Sequence, residues 1–339
     1  MQTFVASIFV FGLLILVHEL GHYLVARLTG IKVLELAIGF GPKLIGWRKN
    51  EIDYSLRVFP LGGFCRLLGE NPEEASEPNS FPQKPILSRA AVLIAGAGMN
   101  LLLAIAVFFV IFFFIAGVPD TETAQIGYVI EESPAEAIGL EAGDMIVSIN
   151  SIQVEKWEDV LNIISARPNE ELQLIIERDR SVKEIIVVSE TVPGSDRGMI
   201  GIGPVIQKYR VLPSLKFSLE RFGTVIISIF QVVTGQAPLD VAGPVGIIFV
   251  IGEVAQTGFI NLLLLTALIS ISLGIMNLLP IPALDGGRLF FLMVEAIRGR
   301  RIDPEKEGFI HFIGFALLIL LILFITYQDL LRWDVIPGY

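Results

Sequence analysis

Val17-His18-Glu19-Leu20-Gly21-His22 lies inside an apolar run that extends from Phe4 to Leu28. The run is long enough to cross a bilayer as one helix. On that helix His18 and His22 fall one turn apart and face the same way. Two imidazoles so placed can share one zinc ion. Glu19 falls about 100° round the helix from His18, beside such an ion rather than on it. There a carboxylate can handle the proton of an activated water. The pattern is short and weak by itself. Ionisable side chains inside an apolar span are costly, however, and a cluster of them implies a use.

The chain has 339 residues, 53% hydrophobic and only 18% charged, which points to a membrane protein with a polar portion. A net charge of −10 argues against nucleic acid as a partner. Cys65 is the single cysteine, so an internal disulfide and a cysteine-rich zinc site are both excluded. The first apolar run lacks a basic leader and carries His-Glu-His where a signal peptide is apolar, so it is expected to stay as an anchor.

Four segments are long and apolar enough to span: Phe4–Leu28, Ala90–Gly117, Phe259–Ala283 and Phe309–Tyr327. A fifth, Leu215–Gly235, carries Lys216, Glu220 and Arg221 at its start and could span or lie in the interface. Basic residues follow the first span, from Arg27 to Arg66, and the third, from Arg288 to Lys306. The positive-inside rule puts both regions in the cytoplasm, with the N-terminus and the segment Val118–Gly258 outside.

Between the first two spans, Val33–Phe40 and Tyr54–Phe59 read as strands. Gly39, Gly41-Pro42, Gly46 and Lys49-Asn50 supply turns, which predicts hairpins beside the membrane. Glu70–Gln83, acidic and proline-rich, reads as an exposed linker. Gly96-Ala97-Gly98-Met99-Asn100 in the second span offers small residues for close packing and a polar Asn100 that needs a partner. Ala124–Val205 reads as a polar module. Its strands are Ile126–Ile130, Met145–Ile149, Leu172–Glu177 and Glu184–Val188. A short helix opens at Ser133-Pro134-Ala135, and an amphipathic one covers Trp157–Ala166. Asp240–Ile247, with Ala242-Gly243-Pro244-Val245-Gly246, reads as a stiff turn beside the membrane.

The other informative stretch is Asn277-Leu278-Leu279-Pro280-Ile281-Pro282-Ala283-Leu284-Asp285-Gly286-Gly287. Two prolines break the third span. Asp285 follows at its cytoplasmic end, where a carboxylate wants a cation. It would supply a third ligand beside His18 and His22 and leave one position for water.

Together these features resemble the site-2 protease family of intramembrane zinc metalloproteases. The carrying motifs are His18-Glu19-Leu20-Gly21-His22, the stretch from Asn277 to Gly286 that ends Leu284-Asp285-Gly286, and a module between the second and third spans that resembles a bacterial PDZ domain. The resemblance covers nearly the full chain, in a single-PDZ form. It implies a polytopic α-helical membrane protein with four transmembrane helices, a membrane-associated β-hairpin region and one inserted extracytoplasmic PDZ domain. Its parts would be residues 1–123 (N-terminal membrane part), 124–205 (PDZ), 206–258 (juxtamembrane segment with an amphipathic helix) and 259–339 (C-terminal membrane part).

The resemblance also implies roles. Zn2+ would be held by His18, His22 and Asp285, with Glu19 as general base and then acid. Asn277, Asn100 and Pro280 would meet substrate. Val33–Arg66 would present the unwound substrate as an added strand, replacing backbone bonds that lipid cannot offer. Gly127, Tyr128, Val129 and Ile130 would border a peptide groove. The partners would be membrane proteins with a single transmembrane segment, such as trimmed anti-sigma factors or signal-peptide remnants, in a bacterial cytoplasmic (inner) membrane. An ion transporter lined by the same four side chains is disfavoured, because the broken-helix pattern is not repeated in the first half. An inactive scaffold is disfavoured by the intact Glu19.

Overall fold

The computed structural model of the chain describes residues 1–236 and 243–332. They divide into two compact units, one made of Met1–Phe108 with the chain from Ser218 onward, the other of Phe109–Phe217. Among the described residues, four helices are long and apolar enough to cross a membrane: Gln2–Leu28, Ile86–Ile115, Phe259–Leu278 and Glu305–Arg332. Each coincides with a predicted span, and this is a membrane protein.

The first unit begins with α1 (Gln2–Leu28). Its buried positions Val10, Leu14 and Gly21 recur at helical spacing, so one stripe packs on protein while the remaining apolar surface is left for lipid. Two long strands follow, β1 (Val33–Lys49) and β2 (Ile52–Leu67). Of the turns expected from the sequence, Lys49-Asn50 reverses the chain, with Asn50 and Glu51 both at positive φ, and so does Gly39–Pro42, because Glu35–Ile38 run parallel to Asp53–Leu56 whereas Lys43–Lys49 run antiparallel to Ile52–Arg57. Gly39 and Gly41, at φ of 88° and 86°, let β1 double back on itself at this point. The reversals fold two strands into a sheet four segments wide. Glu35–Ile38 register with Asp53–Leu56 and also with Gly63–Arg66, while Lys43–Lys49 register with Ile52–Arg57. Gly63–Leu67 is thereby an outer segment, and β2 packs on α1.

The acidic stretch after β2 is less free than its composition predicts. Lys32 N–H donates to Asn79 O and Phe81 N–H to Leu68 O, which ties the stretch to the base of the sheet. Helix α2 (Ile86–Val110) starts earlier than predicted, behind Pro85, and runs into a π turn at Ile111–Ile115.

The second unit contains the polar module. A short strand β3 (Val118–Pro119) enters it. The module itself comprises β4 (Ile126–Val129), α3 (Pro134–Ala137), β5 (Met145–Ile149), β6 (Ile152–Gln153), α4 (Trp157–Ser165), β7 (Glu171–Arg178), β8 (Ser181–Val188), β9 (Glu190–Thr191), β10 (Gly198–Met199) and β11 (Ile202–Pro204). β12 (Ile206–Gln207) leaves beside β3. As the sequence predicts, Ser133 caps α3, accepting from Glu136 N–H, and Pro134 fills its first turn. β6, β5, β7 and β8 form one antiparallel sheet. Ile126, Ile146, Trp157, Leu174 and Ile200 meet in its core.

The doubtful fifth segment is a helix, α5 (Val211–Val233), and is not one of the four candidate spans. Of the stretch read as a stiff turn, Asp240–Ala242 lies outside the described residues. From Gly243 onward it opens a helix that sequence patterning missed, α6 (Pro244–Thr257). α7 (Phe259–Leu278), α8 (Asp285–Arg298) and α9 (Pro304–Arg332) follow. The buried Asp329 of α9 accepts from Gly243 N–H at 3.1 Å and Gly246 N–H at 2.8 Å, capping α6. A Cβ on Gly243 would sit 2.6 Å from that carboxylate, so the glycine is what lets the cap close.

Candidate metal centre

Three helices meet where the two motifs predicted a site. α1 and α2 approach at Gly21, where a Cβ would lie 2.3 Å from Ala95 O. α2 and α7 approach at Gly274, against Leu101 and Ala97. These small residues let backbones come close where a side chain would hold them apart. The imidazoles of His18 and His22 lie against Gly96 of α2, where a Cβ would fall 2.3 Å from His22 Nε2. The glycine pair of α2 is therefore not equivalent, because Gly98 has nothing within 4 Å of its Cβ position.

Asp285 reaches the histidines through a compact break between α7 and α8. After Leu278 the chain turns at Pro280 and Pro282, with Ile281 N–H bonded to Leu279 O and Leu284 N–H to Ile281 O. Gly286 and Gly287 press against the carbonyls of Leu279 and Ile281, so only glycine fits at the start of α8. Asp285 stands in the first turn of α8, where the helix dipole favours a carboxylate. A bidentate pair between Arg89 of α2 and Glu295 of α8, at 2.9 and 2.6 Å, holds α8 in place.

The donor atoms converge. His18 Nε2 and His22 Nε2 are 3.2 Å apart, and each is 3.3 Å from Asp285 Oδ2. A tetrahedral zinc with bonds of about 2.0–2.1 Å needs its ligands about 3.3 Å apart. His22 Nδ1 is 2.8 Å from Val92 O. A proton on Nδ1 that donates to this carbonyl leaves the Nε2 lone pair aimed at Asp285 and His18. Two imidazole lone pairs and a buried carboxylate oxygen facing one another repel unless a cation lies between them. Asp285 Oδ2 is correspondingly buried without a hydrogen-bond partner. Among the described residues, these three form the single cluster able to hold a metal ion.

Glu19 lies beside the donors and not among them. It lines a cavity of about 200 Å³ together with His18, His22, Asp285, Phe64 and Cys65. The sheet reaches the same cavity through its outer segment. Gly63 packs against Ile15 and the Glu19 side chain, and Cys65 lines the cavity beside Glu19. Asn277 and Pro280 lie at the end of α7 and in the following turn, outside the cavity wall. Asn100 is also outside it. It is buried in α2, its main-chain oxygen accepts from Ser270 Oγ, and its side-chain oxygen has no partner among the described residues. In the module, β4 already pairs with β11 along Ile126–Val129, so one edge of the predicted groove strand is taken.

A paired-histidine helix, a carboxylate delivered by a proline-broken span and a glutamate at the centre define the class of membrane-embedded metalloprotease. The comparisons with known proteins agree. The model of peptidase family M50 matches residues 6–321, and the chain belongs to that family. A relative from Clostridium acetobutylicum is 40% identical over 332 residues, with 96% of each chain covered. The zinc metalloprotease RasP of Geobacillus kaustophilus is 35% identical, covering 98% of this chain and 99% of its own. The regulator of sigma-W protease RasP of Bacillus subtilis is 33% identical over the same shares. Among solved structures, the PDZ domain of the SdrC-like protein from Listeria monocytogenes is similar over 25% of this chain and 88% of its own, at 16% identity and a TM-score of 0.23. The chain is a zinc metalloprotease of the site-2 type.

Proposed function

We propose that this protein is an intramembrane endopeptidase that cuts the transmembrane segments of single-span membrane proteins in regulated intramembrane proteolysis. The observation that carries the reading is the convergence of His18, His22 and Asp285 to 3.2–3.3 Å with Glu19 beside them. In this reading His18, His22 and Asp285 hold the zinc. When bound, the ion supplies a Lewis acid for the scissile carbonyl and acidifies a water. Glu19 takes the proton of the attacking water and delivers it to the leaving amide nitrogen. Its side chain packs on Gly63 of the sheet, so the proton carrier is placed by the sheet as well as by its own helix. The segment Gly63–Leu67, which lines the cavity, offers an unwound substrate a strand to pair with. Asn277, Asn100 and Pro280 are assigned to substrate contact reached on its entry.

The substrates are trimmed anti-sigma factors or signal-peptide remnants; the name of the Bacillus subtilis relative, regulator of sigma-W protease, supports a link to sigma-factor control. The protein is assigned to a bacterial cytoplasmic membrane, with the N-terminus and the module outside. The module is read as a peptide-binding PDZ domain. Because β4 is paired with β11, an added peptide strand would lie along β11, with Gly127–Ile130 as the next strand beneath it.

Cleavage of a single-span peptide in detergent, read together with zinc content, tests the core of this proposal. Glu19→Gln should abolish cleavage and keep zinc, whereas Asp285→Ala should lose zinc along with activity. Loss of metal from Glu19→Gln would make Glu19 a ligand and overturn the assignment.

A further inference from the structure

The chain has three histidines, and the third is not in either motif. His311 lies in α9, one turn after Glu307. Its Nδ1 accepts a hydrogen bond of 2.9 Å from the backbone N–H of Ala283, two residues before Asp285. Ala283 is the only non-glycine residue with positive φ, 78°, among the described residues of the α7–α8 connection. For an alanine that conformation is strained and persists only where neighbours impose it. Two contacts from α9 impose it here. One is the His311 bond. The other comes one turn further on, where Gly314 packs so closely on Pro282 that a Cβ would lie 2.2 Å from the proline ring. The imidazole is itself held, because the Phe291 ring of α8 meets it edge-on with centroids 5.3 Å apart.

Resting on the reading of Asp285 as a zinc ligand, we infer that His311 is a positioning residue: it locks the strained Ala283 backbone and so aims the Asp285 carboxylate at the two histidines. Asp285 leaves a chain that has just passed two prolines, and its carboxylate oxygen must arrive 3.3 Å from each of two nitrogens on another helix. Without the His311 acceptor, Ala283 N–H has no bond and the φ of Ala283 has less to hold it. The loop then relaxes towards negative φ and the carboxylate turns with it. Partners that orient metal ligands from outside the ligand set are worth about 10–100-fold in metal affinity.

The test compares wild type with His311→Leu, His311→Asn, Glu307→Gln and Asp285→Ala, all as full chains in detergent. The readouts are zinc per protein, the rate of zinc release to a chelator, the visible spectrum after cobalt substitution, and melting temperature. His311→Leu should release zinc at least tenfold faster and alter the cobalt spectrum at an unchanged melting temperature. His311→Asn, whose Oδ1 can take the place of Nδ1, should restore most of the wild-type rate. Glu307→Gln should match wild type, since Glu307 stands 3.9 Å from the imidazole. Wild-type release and spectrum in His311→Leu, with Asp285→Ala depleted of zinc, would reject the role of His311 and leave the zinc reading standing. Equal zinc in Asp285→Ala and wild type would instead reject the zinc reading. A parallel drop in melting temperature and zinc in both His311 variants would show a merely structural role and overturn the proposal.

Discussion

At the scale of single residues, the centre depends on an absence of side chains as much as on its ligands. Gly96 leaves room for both imidazoles against α2, and a methyl there would press on His22 Nε2. Overpacking of this kind costs about 1–3 kcal/mol when neighbours can shift. Here the neighbours are the proposed zinc ligands, so the cost should appear in the metal. Gly96→Ala should lower zinc retention and slow peptide cleavage by at least tenfold. Gly98→Ala, two residues on and facing open space, should match wild type in both measurements. Equal behaviour of the two variants would mean that the glycines serve general helix packing only. His18, Glu19, His22 and Asp285 were legible in the sequence, because ionisable groups at membrane depth are rare and these came in recognisable spacing. His311 carried the same signal of an ionisable group inside an apolar span, but without a motif around it. Its partner is a backbone N–H 28 residues away, and no spacing rule points to that.

At the scale of elements, the module shows how one buried ion pair sets the pH range of a fold. Asp144, between α3 and β5, accepts from Arg178 Nε at 2.6 Å and Nη2 at 2.7 Å, and from Glu141 N–H at 2.9 Å. Burial alone would raise the Asp144 carboxyl. The Arg178 guanidinium and the Glu141 N–H outweigh it and hold the carboxyl below the usual carboxylate range. A lowered folded-state value means stabilisation that is complete above the unfolded carboxyl's pKa of about 3.9 and lost as pH falls through the folded one. Amide protection of β5 and β7 in the full chain should therefore hold steady from neutral pH to about 5 and fall below about 4. In Asp144→Asn the acid step should shrink. An acid step of the same size in both proteins would assign it to other carboxylates. The α3 cap and the main module strands were readable from turn chemistry and alternation. The reversals at Gly39–Pro42 and Lys49-Asn50 were readable too, but the order of the four sheet segments was not, because turn residues show where a chain reverses and not which segments then pair.

At the scale of the molecule, the packing of the first unit limits the topology. α1 and α7 bring their C-terminal ends to the metal centre, whereas α2 brings its N-terminal half, so α2 runs opposite to both. One outward and one inward crossing already account for α2 and α7. The end of α6 returns to the start of α1, where Gln2 Nε2 donates to Ala255 O. Neither α5 nor α6 should then cross the membrane completely. Single cysteines at Lys208 and Gln256, in a Cys65-free background, should both react with an impermeant reagent from outside the cell. Labelling from opposite sides would require a crossing between them and refute this arrangement.

The sequence by itself determined the class of the protein, the four spans, the likeness to the protease family and the chemistry of the two motifs. Those rest on local properties: the length of apolar runs, helical periodicity, proline geometry and the cost of charge in lipid. Only the tertiary structure decided which atoms meet. The 3.3 Å approach of Asp285 to both histidines, the choice of Gly96 over Gly98, the cap of α6 by Asp329 and the hold of His311 on Ala283 join residues far apart in the chain. Such contacts follow from how the helices pack, and packing distributes its specificity over many residues rather than writing it into any one stretch.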